Sequence, residues 1–267
     1  MLAHALIWHV DPVIVSVVAA AGLYTLGLGR HASRSRRASR DALFFAAGLG
    51  ALALALASPL ASRDGELFSA HMAQHVLLLA VVPPLILLGR PWSTGWRAFP
   101  IGLRRAAAPT VARLRAPSPG VATVLFVGTM AVWHVPVLFD ATLSSTPVHL
   151  LEHGTFLASG LLFWSHQVDS PPVRSRLAYP ARALHATVGM AACWILAIVL
   201  ALAAEPLYDG YSRLAERPGG ISALADQQLA AGIMWVPGSI PFTVAILVFV
   251  VRWLDAPRPV PQAAERR

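Results

Sequence analysis

Seven apolar runs of membrane-spanning length divide this chain and leave no room for an ordinary soluble core. They fall near residues 12–29, 42–61, 67–89, 119–138, 147–167, 180–204 and 227–254. A helix crossing about 30 Å of hydrocarbon needs about 20 residues. With no water to satisfy the backbone there, each crossing segment must pair its polar groups internally, which selects helices. The predicted fold is therefore an all-α membrane protein, a bundle of seven transmembrane helices over residues 12–254. An outer N-terminal segment, 1–11, precedes it, and a cytoplasmic tail, 255–267, expected to be disordered, follows.

Orientation is read from arginine, because the chain contains no lysine. The connections at 30–41, 90–118 and 168–182 and the tail from 252 hold 5, 6, 3 and 4 arginines. The opposite face holds only Arg63, Arg213 and Arg217, a ratio of 18 to 3. The positive-inside rule then places the N-terminus outside and the C-terminus in the cytoplasm. Nine carboxylates, Asp11, Asp64, Glu66, Asp140, Glu152, Glu205, Asp209, Glu216 and Asp226, map to the outer side and make it attractive to cations. A pI near 11 is thus a topology signal. Nucleic acid is not an expected partner, since the arginines are dispersed over membrane-flanking loops. The positive cluster follows the first apolar run, so that run reads as a retained span rather than a cleaved signal peptide. Cys193, the single cysteine, excludes intrachain disulfides and cysteine-based metal clusters. No internal repeat of the transporter kind is found, and nothing fixes an oligomeric state.

Prolines interrupt three runs. Pro83-Pro84 lies in the third, Pro136 near the outer end of the fourth, and Pro237-Gly238 with Pro241 in the seventh. Each proline frees a carbonyl that needs another partner in lipid. The seventh run is expected to break into an outer and an inner half-helix at Pro237-Gly238. With the 205–225 loop, that break is a candidate gate. The 90–118 loop reads first as a solvated positive-inside connection, with an amphipathic helix around Leu103 to Leu114 as the alternative.

The informative polar residues are histidines. His71 and His75, and His149 and His153, form two i, i+4 pairs, each on one helix face. Both pairs lie within roughly 4–10 Å of the outer edge of their spans, and His134 reaches the same depth. Ionisable groups in a bilayer are costly and usually face a protein interior or a wet cavity, where they mark function. Imidazole suits copper, zinc and iron, and a thioether adds preference for Cu(I). The candidate ligands are His71, His75, His134, His149 and His153, with Met72 and Met234 as soft donors. Glu152 and Asp226 are candidates to orient the imidazoles or receive the cation. Copper is the expected metal. Heme clamped by two histidines and zinc are the alternatives, as is a purely structural role in joining helices. His149-Leu150-Leu151-Glu152-His153 also fits the inverted zinc-peptidase pattern, but the soluble domain such enzymes use is absent, and a non-enzymatic role is expected. His4 and His9 could join the site; His31, His166 and His185 belong to the other side.

These residues resemble a known family. The run His71-Met72-Ala73-Gln74-His75, followed by Pro83-Pro84-Leu85 and Leu88-Gly89-Arg90-Pro91, is similar to the signature of the CtaG family of bacterial cytochrome c oxidase (caa3-type) assembly proteins. Trp133-His134-Val135-Pro136 with Phe139-Asp140-Ala141 resembles its next block. His149-Leu150-Leu151-Glu152-His153 with Phe163-Trp164 resembles the third. Asp226-Gln227-Gln228 with Gly232-Ile233-Met234-Trp235 resembles the last. The blocks keep the family's order over nearly the whole chain; Ser165-His166 departs from it, at the cytoplasmic end. The resemblance implies a multi-pass protein of the bacterial cytoplasmic membrane that helps mature an aa-type cytochrome c oxidase. Its partners would be oxidase subunits and the lipid bilayer. Copper itself is inferred from the His and Met chemistry in that context.

Overall fold

All seven apolar runs fold as helices in the computed structural model, which describes residues 12–30, 35–113 and 117–257. The N-terminal segment 1–11 with His4 and His9, His31, and the tail beyond 257 lie outside the described residues. The helices are α1 (Pro12–Gly29), α2 (Arg36–Ala57), α3 (Phe68–Val76), α4 (Val82–Leu88), α5 (Pro91–Gly95), α6 (Ile101–Arg113), α7 (Pro119–Trp133), α8 (Pro136–Ser144), α9 (Thr146–Trp164), α10 (Tyr179–Leu202), α11 (Asp209–Ser212) and α12 (Ala223–Leu254). Serine hydroxyls cap three N-termini by accepting from the backbone: Ser35 from Ala38, Ser118 from Val121 and Ser222 from Ala225.

By length and composition, four segments are long and apolar enough to cross a membrane: Arg36–Arg63, Phe68–Leu88, Tyr179–Leu202 and Ala223–Leu254. The pair α7 and α8, bent by 73°, makes a fifth if counted as one span. The apolar part of α1, Val15–Gly29, is shorter. In α9 the polar His149, Glu152 and His153 interrupt the apolar pattern.

Each proline site resolves differently. Between α3 and α4 the chain makes a π-helical turn, Leu77–Val81, closed by the Val82 amide donating to the Leu77 carbonyl. Pro83 cannot donate to the Leu79 carbonyl four residues back, and the Trp164 indole does so instead, at 3.0 Å. Gly160 lets α9 come this close: a Cβ there would lie 3.0 Å from the Leu79 oxygen and 2.9 Å from Pro83. At Pro136 the predicted continuous span 119–138 is instead broken. Val135 is extended (φ −66°, ψ 124°), as the residue before proline is pushed to be, and His134 caps α7 at the bend.

The seventh run corrects the expectation of two half-helices. Residues Ala223–Leu254 form one helix of 32 residues through both Pro237 and Pro241. Beside these prolines the Ser239 hydroxyl donates to the Trp235 carbonyl and accepts from the Trp194 indole at 2.5 Å, tying α12 to α10. A hinge in α12 is therefore not part of this fold. The 90–118 connection is also more ordered than a solvated loop, containing α5, a 3₁₀ turn at Trp96–Ala98 and α6.

The core is rich in aromatic residues and falls into separate clusters. Phe126, Phe156, Phe163, Trp164 and Phe242 fill the middle of the bundle, where α7, α9, α10 and α12 meet. A second cluster, with Phe68, Met72, Phe139, Tyr208, Tyr211 and Met234, lies where the 203–222 segment folds back over α3, α8 and α12. Gln227 pins that segment, accepting from the Leu207 amide at 2.8 Å and donating to the Leu200 carbonyl at 3.0 Å. Asp140 accepts from the Gly210 amide at 3.0 Å, where a Cβ at 210 would require the end of the Leu143 side chain, 2.5 Å away, to shift.

Candidate metal centre

The residues that build the centre come from four places in the chain: α3, the α7–α8 bend, α9 and the 203–222 segment. On α9, Leu150 and Leu151 are exposed while Glu152, His153 and Phe156 are buried. The helix is thus polar on its inner face and apolar outside, the reverse of a soluble helix. Helix α3 does the same with His71 and Met72, both fully buried, and His75. One ligand atom from each of His71, His75, Glu152 and His153 lies within 4.8 Å of the others. His149 and His134 flank this group. His149 Nε2 is 3.1 Å from His153 Nε2, and the His134 ring centroid is 5.8 Å from that of His75. All five predicted histidines are therefore neighbours, which equal depth alone could not establish.

Glu152 is the pivot. Its Oε2 is 3.1 Å from His71 Nε2 and its Oε1 is 3.4 Å from His75 Nε2, with both sides of each contact almost wholly buried. The hydrogen inventory around His71 is revealing. Tyr211 donates its single hydroxyl hydrogen to the Asp64 carbonyl. Burial, then Asp64, push this phenol well above its ordinary pKa, so it stays a hydroxyl. Its oxygen, 3.2 Å from His71 Nδ1, must therefore accept there, which puts the His71 hydrogen on Nδ1. With one hydrogen on the ring, Nε2 presents a lone pair to a carboxylate oxygen. Two acceptors at 3.1 Å need a cation between them, either a second proton or a metal ion.

His75 is the counterpart. It packs face to face on Phe156, ring centroids 4.2 Å apart, and neither ring nitrogen has a hydrogen-bond partner. A buried imidazole left without partners normally costs about 1–3 kcal/mol for each unsatisfied group. Metal–ligand bonds of about 2.0–2.2 Å hold ligand atoms roughly 3–4 Å apart, the range of the Glu152 contacts with His71 and His75. The donor set thus fits a single ion. Fit to a porphyrin is poor, because the cavity adjoining His75 and His134 has a volume of only about 20 Å³, against the hundreds of Å³ typical of organic cofactor sites.

The remaining predicted residues are placed as follows. Met72 Sδ lies 3.2 Å from His134 Nε2. Met234 lines the small cavity with His75 and His134. Asp226 is engaged with backbone: its two oxygens accept from the amides of Phe68 at 2.7 Å and Ser69 at 3.2 Å. It therefore caps α3, the helix that carries His71, Met72 and His75, and complements its positive end. Two residues that the sequence did not single out also touch the centre. Asp64 Oδ2 is 3.7 Å from His149 Nε2 and accepts from Gln74 Nε2 at 3.4 Å. Tyr211 bridges Asp64 and His71. Nothing in spacing or composition separates Asp64 from Glu66 beside it.

Known proteins were compared with this chain. A protein of Mycobacterium bovis described as uncharacterized is 27% identical over 229 residues, covering 82% of this chain and 35% of its own length. One of Mycobacterium leprae, described the same way, is 26% identical over 272 residues, covering 92% and 39%. The chain spans little more than a third of the length of these curated relatives. No solved structure matches it. A family model for the cytochrome c oxidase caa3 assembly factor, Caa3_CtaG, matches residues 22–256, blocks and buried histidines included, and this chain belongs to that family.

Proposed function

We propose that this protein serves the maturation of a caa3-type cytochrome c oxidase by holding copper at the His/Glu centre, for transfer to an oxidase subunit. The observation that carries this reading is the convergence of ligand atoms from His71, His75, Glu152 and His153 on one buried spot, within 4.8 Å of one another. His71 Nε2 and Glu152 Oε2 face each other at 3.1 Å, and His75 beside them has no hydrogen-bond partner. His71, His75 and His153 would hold the ion, with Glu152 balancing its charge. Bound copper supplies the metal that the oxidase needs. Tyr211 and Asp64 fix the His71 tautomer, and Asp226 fixes the helix from which two of the histidines project. Imidazole donors suit copper, and family membership supplies the context.

The arginine distribution supports seven crossings of a bacterial cytoplasmic membrane with the centre on the outer side. The single bent pair and the polar α9 are then spans that packing, rather than hydropathy, stabilises in lipid. The 203–222 segment lies over the centre and would form the face an oxidase subunit meets.

The test is metal analysis of purified protein, wild type beside His75→Ala and His153→Ala. Near-stoichiometric copper in wild type, lost in both variants, is the expected result. Copper absent from wild type, or retained unchanged in both variants, would sink the reading.

A further inference from the structure

We infer that the centre contains a second, softer position at His134 and Met72, selective for a monovalent d¹⁰ ion, beside the carboxylate-bearing position at Glu152. The inference rests on the copper reading above and divides its site in two.

The geometry at His134 has its own hydrogen inventory. Nδ1 lies 2.7 Å from the Met130 carbonyl, which can only accept, so the ring hydrogen is on Nδ1. Nε2 then presents its lone pair to Met72 Sδ at 3.2 Å. A thioether has no hydrogen to give, so two electron-pair donors face each other with nothing between them. A second proton on this ring would be a buried charge touching no carboxylate, since the ion pairs of Glu152 are with His71 and His75. An ion bound by nitrogen and sulfur resolves the contact through the bonds themselves.

The surroundings extend the soft donor set. The cavity of about 20 Å³ next to His134 is bordered by Met130 from α7, Cys193 from α10 and Met234 from α12, as well as by His75. With Met72 from α3, that gathers three of the chain's five methionines and its only cysteine around one histidine. Methionine often serves simply to fill irregular core gaps. Gap filling does not account for a thioether aimed at an imidazole nitrogen. Neutral nitrogen and sulfur donors match Cu(I), whereas a carboxylate with three imidazoles also accepts divalent ions. His75 borders both positions, so an ion at one lies beside the other.

Silver(I), a soft monovalent d¹⁰ ion, and zinc(II) separate the two positions. Purified detergent-solubilised protein is titrated with each metal, and the bound silver is examined by X-ray absorption. Sulfur is expected among the silver neighbours in wild type. Met72→Leu, a substitution close in volume, should lower the ratio of silver to zinc affinity at least tenfold; Glu152→Gln should raise it. Silver bound without a sulfur neighbour, or the two metals weakened equally by Met72→Leu, would overturn the inference. Zinc bound with no silver overturns it alone, whereas a wild type that binds neither copper nor zinc removes the proposed function as well. The wild-type absorption measurement stands even if a variant fails to fold.

Discussion

Two histidine-containing clusters lie at opposite ends of this bundle, and they are built on opposite principles. At the arginine-rich end, His166 Nε2 donates to the Pro117 carbonyl at 3.0 Å, and Gln167 Nε2 meets His185 Nδ1 at 2.5 Å. Arg182 binds both oxygens of Asp169, at 3.0 and 3.1 Å, and also donates to the Leu177 and Gln167 carbonyls. Donor meets acceptor in each of these contacts. At the other end, the His71 contact with Glu152 needs a second proton or a metal ion between the two atoms, and His134 meets the Met72 sulfur with lone pairs on both sides. Both clusters are buried, though one holds five histidines and the other two, His166 and His185. Both ends hold buried polar atoms without hydrogen-bond partners, His75 Nδ1 and Nε2 at one and His166 Nδ1 and His185 Nε2 at the other. What distinguishes them is that, among the described residues, four ligand atoms, from His71, His75, Glu152 and His153, converge at only one.

The contrast can be broken most directly by metal content. His153→Ala should abolish retained copper, while His185→Ala at the far end should leave it unchanged, as read by elemental analysis of both purified variants. Equal loss in the two would mean that metal content reports general integrity rather than the centre. The next effect is smaller. Tyr211→Phe removes the hydroxyl that sets the His71 tautomer, and copper affinity measured by competition with a chelator should fall about 10–100-fold, as for other groups that orient a ligand.

The structural cluster should show the converse. Arg182→Gln breaks the bidentate contact with Asp169, and thermal unfolding in detergent should report a loss of about 1–3 kcal/mol with copper affinity unaltered. Half of the Asp169 side chain is exposed, at 49%, so solvent screening keeps the loss at the lower end. Asp226→Asn sharpens the comparison from between the two clusters. It keeps one of the two acceptor oxygens, sets an NH2 group against the other backbone amide and removes the charge, and a stability loss of about 1–3 kcal/mol is expected. A large loss of copper with no change in stability would instead make Asp226 a ligand.

Much of the centre could be read from residue order because membrane burial makes polar residues conspicuous. His71, His75, His149 and His153 stand out where almost everything nearby is apolar, and their i, i+4 spacing states which face they share. The same contrast hides other contributors. Asp64 lies in a polar connection among Ser62, Arg63 and Glu66, where a carboxylate is ordinary. Tyr211 acts through a contact 140 residues away in sequence with His71. Asp226 was legible as a buried acid, but its partners are backbone amides, which leave no mark in a sequence. The prolines show the limit most plainly. Pro136 bends its helix by 73°, whereas Pro237 and Pro241 leave α12 as one helix. Pro136 stands at the start of α8, whereas Pro237 and Pro241 lie inside a helix that continues through them, a difference residue order does not show.

Sequence alone determined the all-helical architecture, the end of the bundle where the histidines sit and the family to which the chain belongs. The physical reason is that hydropathy, arginine bias and helical periodicity are local properties, carried by each segment wherever it packs. Only the tertiary structure decided that the five histidines touch, that Glu152 lies between two of them and that His134 faces a sulfur. Those facts depend on which helices are neighbours and on how each is rotated, and both are set by side-chain packing between segments far apart in the chain.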